Sequence, residues 1–269
     1  MNPAFAISDL GRIAYAEAYA RQAETLEMVV AARGSSEPVG AHVLLVEHDP
    51  VITVTRRPGA AEHLLASREL LASMGVALEE TDRGGDITYH GPGQLVVYPI
   101  VDLNLLNLGL HDYMRLLEES VIRTLAGFGV EAGREAGATG VWVPGSVRGR
   151  GDAAKVCAMG VRVRKWVSMH GLALNVSPNL SHFDLIVPCG LAGRPVTSMA
   201  AELGERCPTF AGVKQALSRE LLHELRGAWE AACQKRDGRV SGALPGAGSV
   251  GAGDSGDLGA GQDARSQCS

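Results

Sequence analysis

No apolar run in the sequence approaches the roughly 18–20 residues that a helix needs to cross a bilayer. The N-terminus has no charged-then-apolar secretory pattern, and Asp9 and Glu17 argue against an acid-poor transit peptide. The expected location is therefore cytoplasmic. Paired cysteines are missing too. Cys157, Cys189, Cys207, Cys233 and Cys268 make five, an odd number without metal-ligand spacing. That argues against a disulfide framework or a structural zinc site and for a reducing compartment. Neither sign of charge dominates: 25 basic residues stand against 30 acidic, a net charge of −5. Nothing global draws nucleic acid or an anionic membrane, so attraction to an acidic partner has to come from local patches. A phosphate loop is absent as well, because no Lys-Ser or Lys-Thr follows the glycines near residue 90.

What is present is an ordinary globular composition, 46% hydrophobic and 20% charged over 269 residues. Ser8 and Asp9 read as caps of a helix carrying Ile13, Tyr15, Ala18, Leu26 and Val30 and ending near Gly34. Residues 42–48 and 51–55 read as short strands, and SRELLASMG as a short helix closing at Gly75. A strand, a Gly-Pro-Gly turn and a strongly apolar strand follow within GGDITYHGPGQLVVYPIVDL. Residues 111–128 have helical spacing, and KVCAMGVRVR and KWVSMHGLALNV read as adjacent strands. Thr209 is the expected cap of a last helix reaching about Lys235. The irregular interleaving predicts an α+β fold, a mixed β-sheet flanked by helices. Residues 1–236 are expected to form one domain. Residues 237–269, rich in Gly, Ala and Ser, bury too little apolar surface to offset their ordering entropy and read as a disordered tail.

Four segments carry possible chemistry. In Arg83-Gly84-Gly85-Asp86-Ile87-Thr88-Tyr89-His90 the glycines let backbone approach a ligand, although a plain glycine-rich hairpin has the same look. Lys155 opens an apolar run and is either partly buried or snorkels from an edge. The stretch His170 to Asn175 walls an apolar pocket or is an ordinary core strand. Cys189, between Pro188 and Gly190, sits where an accessible nucleophile or a structural turn cysteine would, whereas Cys157 lies inside an apolar strand.

Together, RGGDITYHGPGQLVVYPIVDL, KVCAMGVRV, WVSMHGLALNV and PCG with VTSM after it, in this order, resemble the lipoyl(octanoyl) transferase family. The resemblance covers about Val43 to Leu225. It implies a fold like that of the biotin and lipoate protein ligases. It also implies a single catalytic acyltransferase domain that moves an octanoyl group from octanoyl-acyl carrier protein to a lysine of a lipoyl domain. By this resemblance Cys189 is the acyl-thioester nucleophile and Lys155 the residue that favours its thiolate. Substrate contacts map onto Arg83, Gly84, Gly85, Asp86, Ile87, Thr88, Tyr89 and His90, onto Ala158, Met159 and Gly160, and onto Gly171, Leu172 and Ala173. The implied acceptors are lipoyl domains of 2-oxoacid dehydrogenase E2 subunits and the glycine cleavage H protein. No metal, cofactor, nucleic acid or membrane is called for, since a thioester is already activated. The loop 144–152 is longer and more Arg-rich than the family pattern.

On this reading His90 and backbone N–H groups near Gly171 are candidate oxyanion donors. Arg162 and Arg164 share one strand face, with Lys165 next to them, and form a basic patch that Arg56, Arg57, Arg148 and Arg150 extend.

Overall fold

The computed structural model describes residues 2–187 and 194–241. Strand β1 (Ala4–Ile13) leads into helix α1 (Tyr15–Ala31), then β2 (Val39–His48) and β3 (Val51–Thr55). Helix α2 (Arg68–Ser73), β4 (Ala77–Thr81), β5 (Thr88–His90), β6 (Gln94–Val101) and α3 (Leu110–Gly127) follow. The second half holds β7 (Gly133–Glu135), β8 (Ala138–Val143), β9 (Ala154–Arg164), β10 (Val167–Asn175), α4 (Met199–Leu203) and α5 (Phe210–Ser241). The strands form a seven-stranded sheet in the order β1-β2-β6-β10-β9-β8-β7 and a three-stranded sheet β4-β3-β5. The pairs β1–β2 and β3–β4 are parallel and the others antiparallel, so the sheets are mixed, as the α+β reading expects.

The apolar run of β6 makes sense in this setting, because helices cover both faces of the large sheet. Leu95 and Val97 pack with Leu117, Val121, Leu125, Leu217 and Leu221 of α3 and α5. Val96, Tyr98 and Ile100 turn the other way, onto Ala18, Leu26 and Val29 of α1. A strand covered on both sides has no polar face to alternate with. Ile52, Ile87, Tyr89, Phe183 and Ile186 form a separate core beneath the small sheet. Helix α5 is held by Val213, Leu217, Leu221 and Leu225 at four-residue spacing, all fully buried. Thr209 caps it, its Oγ1 accepting the Gly212 N–H at 3.1 Å.

Three local expectations fail. Ser8 and Asp9 do not cap a helix; they lie in β1. Ser8 Oγ instead pairs with His42 Nε2 at 2.7 Å, and Asp9 accepts from Gly11 N–H and from Lys214. Side chains that suit a cap also suit cross-strand bonds, and α1 begins after Ala14 with no side-chain cap. The last helix extends past Lys235 to Ser241, so residues 237–241 continue α5 rather than open a tail. Residues 242–269 lie outside the described residues. The basic strand face is also largely neutralised: Arg162 pairs with Asp82, and Arg164 and Lys165 pair with Glu27 at 3.7 and 3.0 Å. Arg57 lies 3.8 Å from Asp86, while Arg56, Arg148 and Arg150 are exposed.

Candidate active site

The β9–β10 hairpin builds one wall of a pocket. Its two-residue turn, Lys165-Trp166, has positive φ at both positions (52° and 60°), which matches the right-handed strand twist. The resulting register sets Gly160 opposite Gly171, Met159 opposite Leu172 and Ala158 opposite Ala173. Small residues thus face one another across two strands and leave a trough. A Cβ on Gly171 would stand 2.3 Å from the Val97 carbonyl oxygen, and one on Gly160 would stand 2.4 Å from that of Gly84. Main chain approaches both glycines too closely for any side chain.

The segment from Arg83 to His90 builds the facing wall. Arg83, Gly85, Asp86, Thr88 and His90 line the pocket together with Ala158, Met159, Gly160, Gly171, Leu172 and Ala173, and Tyr15, Val96, Tyr98 and His170 complete it. Ile87 and Tyr89 do not line it. Strand alternation turns them into the core of the small sheet, where the Tyr89 hydroxyl bonds His182 Nδ1 at 2.7 Å. Gly84 acts through its main chain, donating its N–H to the Val161 carbonyl at 2.9 Å and joining the two walls. Arg83 is braced on the small sheet, its Nη2 donating to Thr53 Oγ1 at 3.0 Å. Asp86 Oδ1 accepts from its neighbour Ile87 N–H at 2.7 Å and lies 2.9 Å from His63 Nδ1.

Sequence reasoning passed over Tyr15, Tyr98 and the Asp82–His170 pair. Asp82 accepts from His170 Nε2 at 3.0 Å and from the Tyr19 hydroxyl at 2.9 Å, and pairs with Arg162. Burial works to raise the Asp82 carboxyl, but the hydrogen bonds from His170 and Tyr19 and the Arg162 charge outweigh it and hold its pKa below the ordinary value. Burial lowers His170 against the pull of Asp82. His170 also has φ +58°, and Gln22 Oε1 accepts its main-chain N–H at 2.8 Å. The Tyr19 hydroxyl, the His170 imidazole and the Arg162 guanidinium that share the Asp82 carboxylate come from three distant elements, so no local pattern marks them.

His90 is buried and stacks on Tyr15, with ring centroids 6.4 Å apart and planes 7° apart. Burial first, and then the neighbouring His48, push it down to about 3. His48 is held at about 4 by burial. His90 is not suited to the oxyanion-donor role expected of it. Its Nδ1 bonds Gln94 Oε1 at 2.6 Å, and the Gln94 amide N–H groups are committed to the Tyr89 carbonyl and to Asn175 Oδ1 at 3.2 and 2.9 Å. Gln94 Oε1 therefore accepts, Nδ1 carries the proton, and Nε2 presents a lone pair.

Lys155 lies near one end of the trough. It is only 7% exposed, and its Nζ sits 4.8 Å above the Trp142 ring, over which Arg194 also stacks at 4.5 Å. Its main chain pairs with Pro195 and Thr197: Lys155 N–H donates to the Pro195 carbonyl, and Thr197 N–H to the Lys155 carbonyl, each at 2.9 Å. Cys189 lies outside the described residues. On its N-terminal side, Val187 N–H donates to the His63 carbonyl at 2.8 Å. Cys157, the cysteine of the β9 wall, is fully buried, and burial pushes its thiol up, against reactivity. Among the described residues no group of His, Cys, Asp or Glu has the arrangement of a metal site, and no helix is long and apolar enough to cross a membrane.

The family of lipoyl protein ligase A/B catalytic domains matches residues 14–222. An octanoyltransferase of Bacteroides fragilis (strain YCH46) is 47% identical over 218 residues, which cover 81% of this chain and 96% of the relative. An octanoyltransferase of Chloroflexus aurantiacus (strain J-10-fl) is 49% identical over 209 residues, 77% of this chain and 88% of the relative. In three dimensions a lipoate-protein ligase A solved with bound ATP superposes with a TM-score of 0.62 at 14% identity, covering 84% of this chain and 86% of that one. A bipartite lipoate protein ligase of Thermoplasma acidophilum gives 0.61 at 16% identity and covers 84% of both chains. At those identities the solved structures speak to the fold alone. The matched span and these identities place the chain in one family: it belongs to the lipoyl protein ligase A/B catalytic domains.

Proposed function

We propose that this protein transfers an octanoyl group from an acyl carrier protein to a lysine of a lipoyl domain, through a thioester on Cys189. It is an acyltransferase of protein lipoylation, and its octanoyltransferase relatives are 47% and 49% identical over most of the chain. The observation that carries the reading is the trough itself. Ala158, Gly160, Gly171 and Ala173 leave a narrow apolar channel along β9 and β10, and the buried Lys155 stands on β9 three residues before Ala158. Burying seven alkyl carbons there at ~0.8 kcal/mol each is worth roughly 5–6 kcal/mol, enough to select a medium-length chain over a short one.

The chemistry follows from the thiol. A thiolate attacks the incoming thioester, and the new thioester stays as reactive as the old, so an amine can displace it. The positive charge of Lys155 favours the thiolate. Once neutral, Lys155 takes the proton that the attacking amine gives up. Support for bringing the two together comes from the segment after Cys189, since Pro195 and Thr197 pair with the main chain of Lys155. The acceptors inferred for this chain are lipoyl domains of 2-oxoacid dehydrogenase E2 subunits and the glycine cleavage H protein, and the compartment is the cytoplasm.

The fold shared with an ATP-bound ligase favours one competing reading, an ATP-dependent ligase that makes an acyl-adenylate. Incubation with octanoyl carrier protein and no ATP, followed by intact-mass measurement with and without a lipoyl domain, separates the two. The transferase gains one octanoyl group and loses it to the acceptor. Dependence of transfer on ATP would overturn the proposal.

A further inference from the structure

We propose that Gln94 and Asn175 are positioning residues for the acyl transfer: they hold His90 as a hydrogen-bond acceptor at the Lys155 end of the pocket, where its Nε2 takes an N–H of the attacking amine. This inference rests on the acyl-transfer reading.

The direction of every bond in the relay follows from two main-chain oxygens, which can only accept. Asn175 Nδ2 donates to the Thr197 carbonyl at 3.0 Å, so Asn175 Oδ1 is an acceptor and takes Gln94 Nε2 at 2.9 Å. Gln94 Nε2 also donates to the Tyr89 carbonyl at 3.2 Å, which leaves Gln94 Oε1 to accept from His90 Nδ1. His90, Gln94 and Asn175 are 6%, 1% and 3% exposed. Reversing one member would leave buried donors facing donors, each without an acceptor.

The strand register locates His90 along the pocket. Strand β10 ends at Asn175, and Asn175 bonds Thr197, whose main chain pairs with Lys155. The Asn175–Gln94–His90 end is therefore the Lys155 end.

An acceptor there suits the amine. A neutral primary amine attacks with its lone pair and carries two N–H bonds. As the C–N bond forms and the C–S bond breaks, one of these protons leaves through Lys155 to the departing sulfur. The other remains as the amide N–H. His90 holds the proton that stays, so it never has to take one, in keeping with an imidazole that burial keeps neutral.

Two readouts test this on the full chain. Two-bond 1H–15N correlations of the histidine rings, with the His90 signal assigned by its loss in His90→Asn, are expected to show Nδ1 protonated and Nε2 bare. A proton on Nε2 of the wild-type ring would overturn the proposal without recourse to any variant. In single turnovers, Gln94→Met is expected to acylate at close to the wild-type rate, yet to pass the chain to the lysine roughly 30-fold more slowly with a raised KM for the acceptor. Gln94→Glu keeps an oxygen facing Nδ1 and should recover most of that second step. Equal slowing of both half-reactions in Gln94→Met, as general damage would give, overturns the proposal. If the wild type forms no adduct at all, the thioester reading fails instead. The positioning role is then judged by the acceptor KM in overall transfer: raised in Gln94→Met supports it, unchanged overturns it.

Discussion

The β9–β10 wall of the pocket and the Arg83–His90 wall face each other but are made differently. The first is shaped by side chains that are missing. Gly160, Gly171, Ala158 and Ala173 leave room, and main-chain oxygens of Gly84 and Val97 fill the places where larger residues would project. The second is shaped by polar bonds: Arg83 to Thr53, Asp86 to His63 and His90 to Gln94. A wall of absences fails by steric intrusion. A wall of hydrogen bonds fails by loss of a partner or by protonation.

The largest expected effect needs neither wall. Cys189→Ser should remove adduct formation and lower transfer by more than about 1000-fold, because a hydroxyl ionises far less readily than a thiol. Cys157→Ala, within the β9 wall, should retain most activity, since that wall supplies shape rather than chemistry. Steady-state transfer rates of the two variants check both outcomes.

Gly171→Ala comes next. Its Cβ would press on the Val97 carbonyl oxygen at 2.3 Å and on Pro99 Cδ at 2.6 Å, backbone and ring atoms that cannot turn aside. We expect a loss of about 1–3 kcal/mol in urea unfolding and roughly 100-fold in transfer, as the trough shifts against the acyl chain.

The polar side should respond to pH. His48 and His90 have folded pKa values of about 4 and 3, and His170 is lowered too, whereas in the unfolded chain each titrates near ~6.5. The unfolded state thus binds more protons below pH ~6.5. Stability is complete above that value and falls as pH drops toward the folded values, by up to ~1.4 kcal/mol per pH unit for each group. Asp82, held below its ordinary value, adds stability above pH ~3.9 that is lost as pH falls through its folded pKa. Urea midpoints measured from pH 7 to 4 should show this slope. His90→Asn should flatten it by about one group, while Gly171→Ala leaves it unchanged.

Smaller effects separate pocket from core. Ala173→Leu should shift chain preference from octanoyl toward hexanoyl by roughly tenfold, about two methylenes' worth of lost burial, read as kcat/KM across donors of different length. Ile87→Val, between two pocket-lining neighbours but turned into the small-sheet core, should cost about 0.5–1.5 kcal/mol of stability. Its chain-length preference should stay the same. A changed preference would show that Ile87 reaches the acyl chain after all.

Strands β2, β3, β5, β6, β9 and β10 were legible because Gly-Pro-Gly and alternation bound them, and α3 and α5 because their apolar spacing holds for several turns. Strand β1 was not, since Ser8 and Asp9 serve a cap as readily as a cross-strand bond. Within Arg83–His90 the sequence names the segment, but only the strand's two-residue period separates Thr88 and His90 from Ile87 and Tyr89. The relay was hidden for another reason. Gln94 and Asn175 stand 81 residues apart, and nothing in either neighbourhood shows that a tautomer depends on both. Charge patterning misled most directly, because Arg162, Arg164 and Lys165 find their counter-ions in Asp82 and Glu27 from distant elements.

Where the acyl chain rests between donor and acceptor decides whether the Cys189 thioester forms. Mixing the full chain with octanoyl carrier protein without ATP, quenching in acid and mapping peptides by mass should find the octanoyl group on the peptide bearing Cys189. It should disappear when a lipoyl domain is added before the quench. An octanoyl group on the Cys157 peptide, or transfer to the lipoyl domain with no acylated peptide at any time, would contradict it.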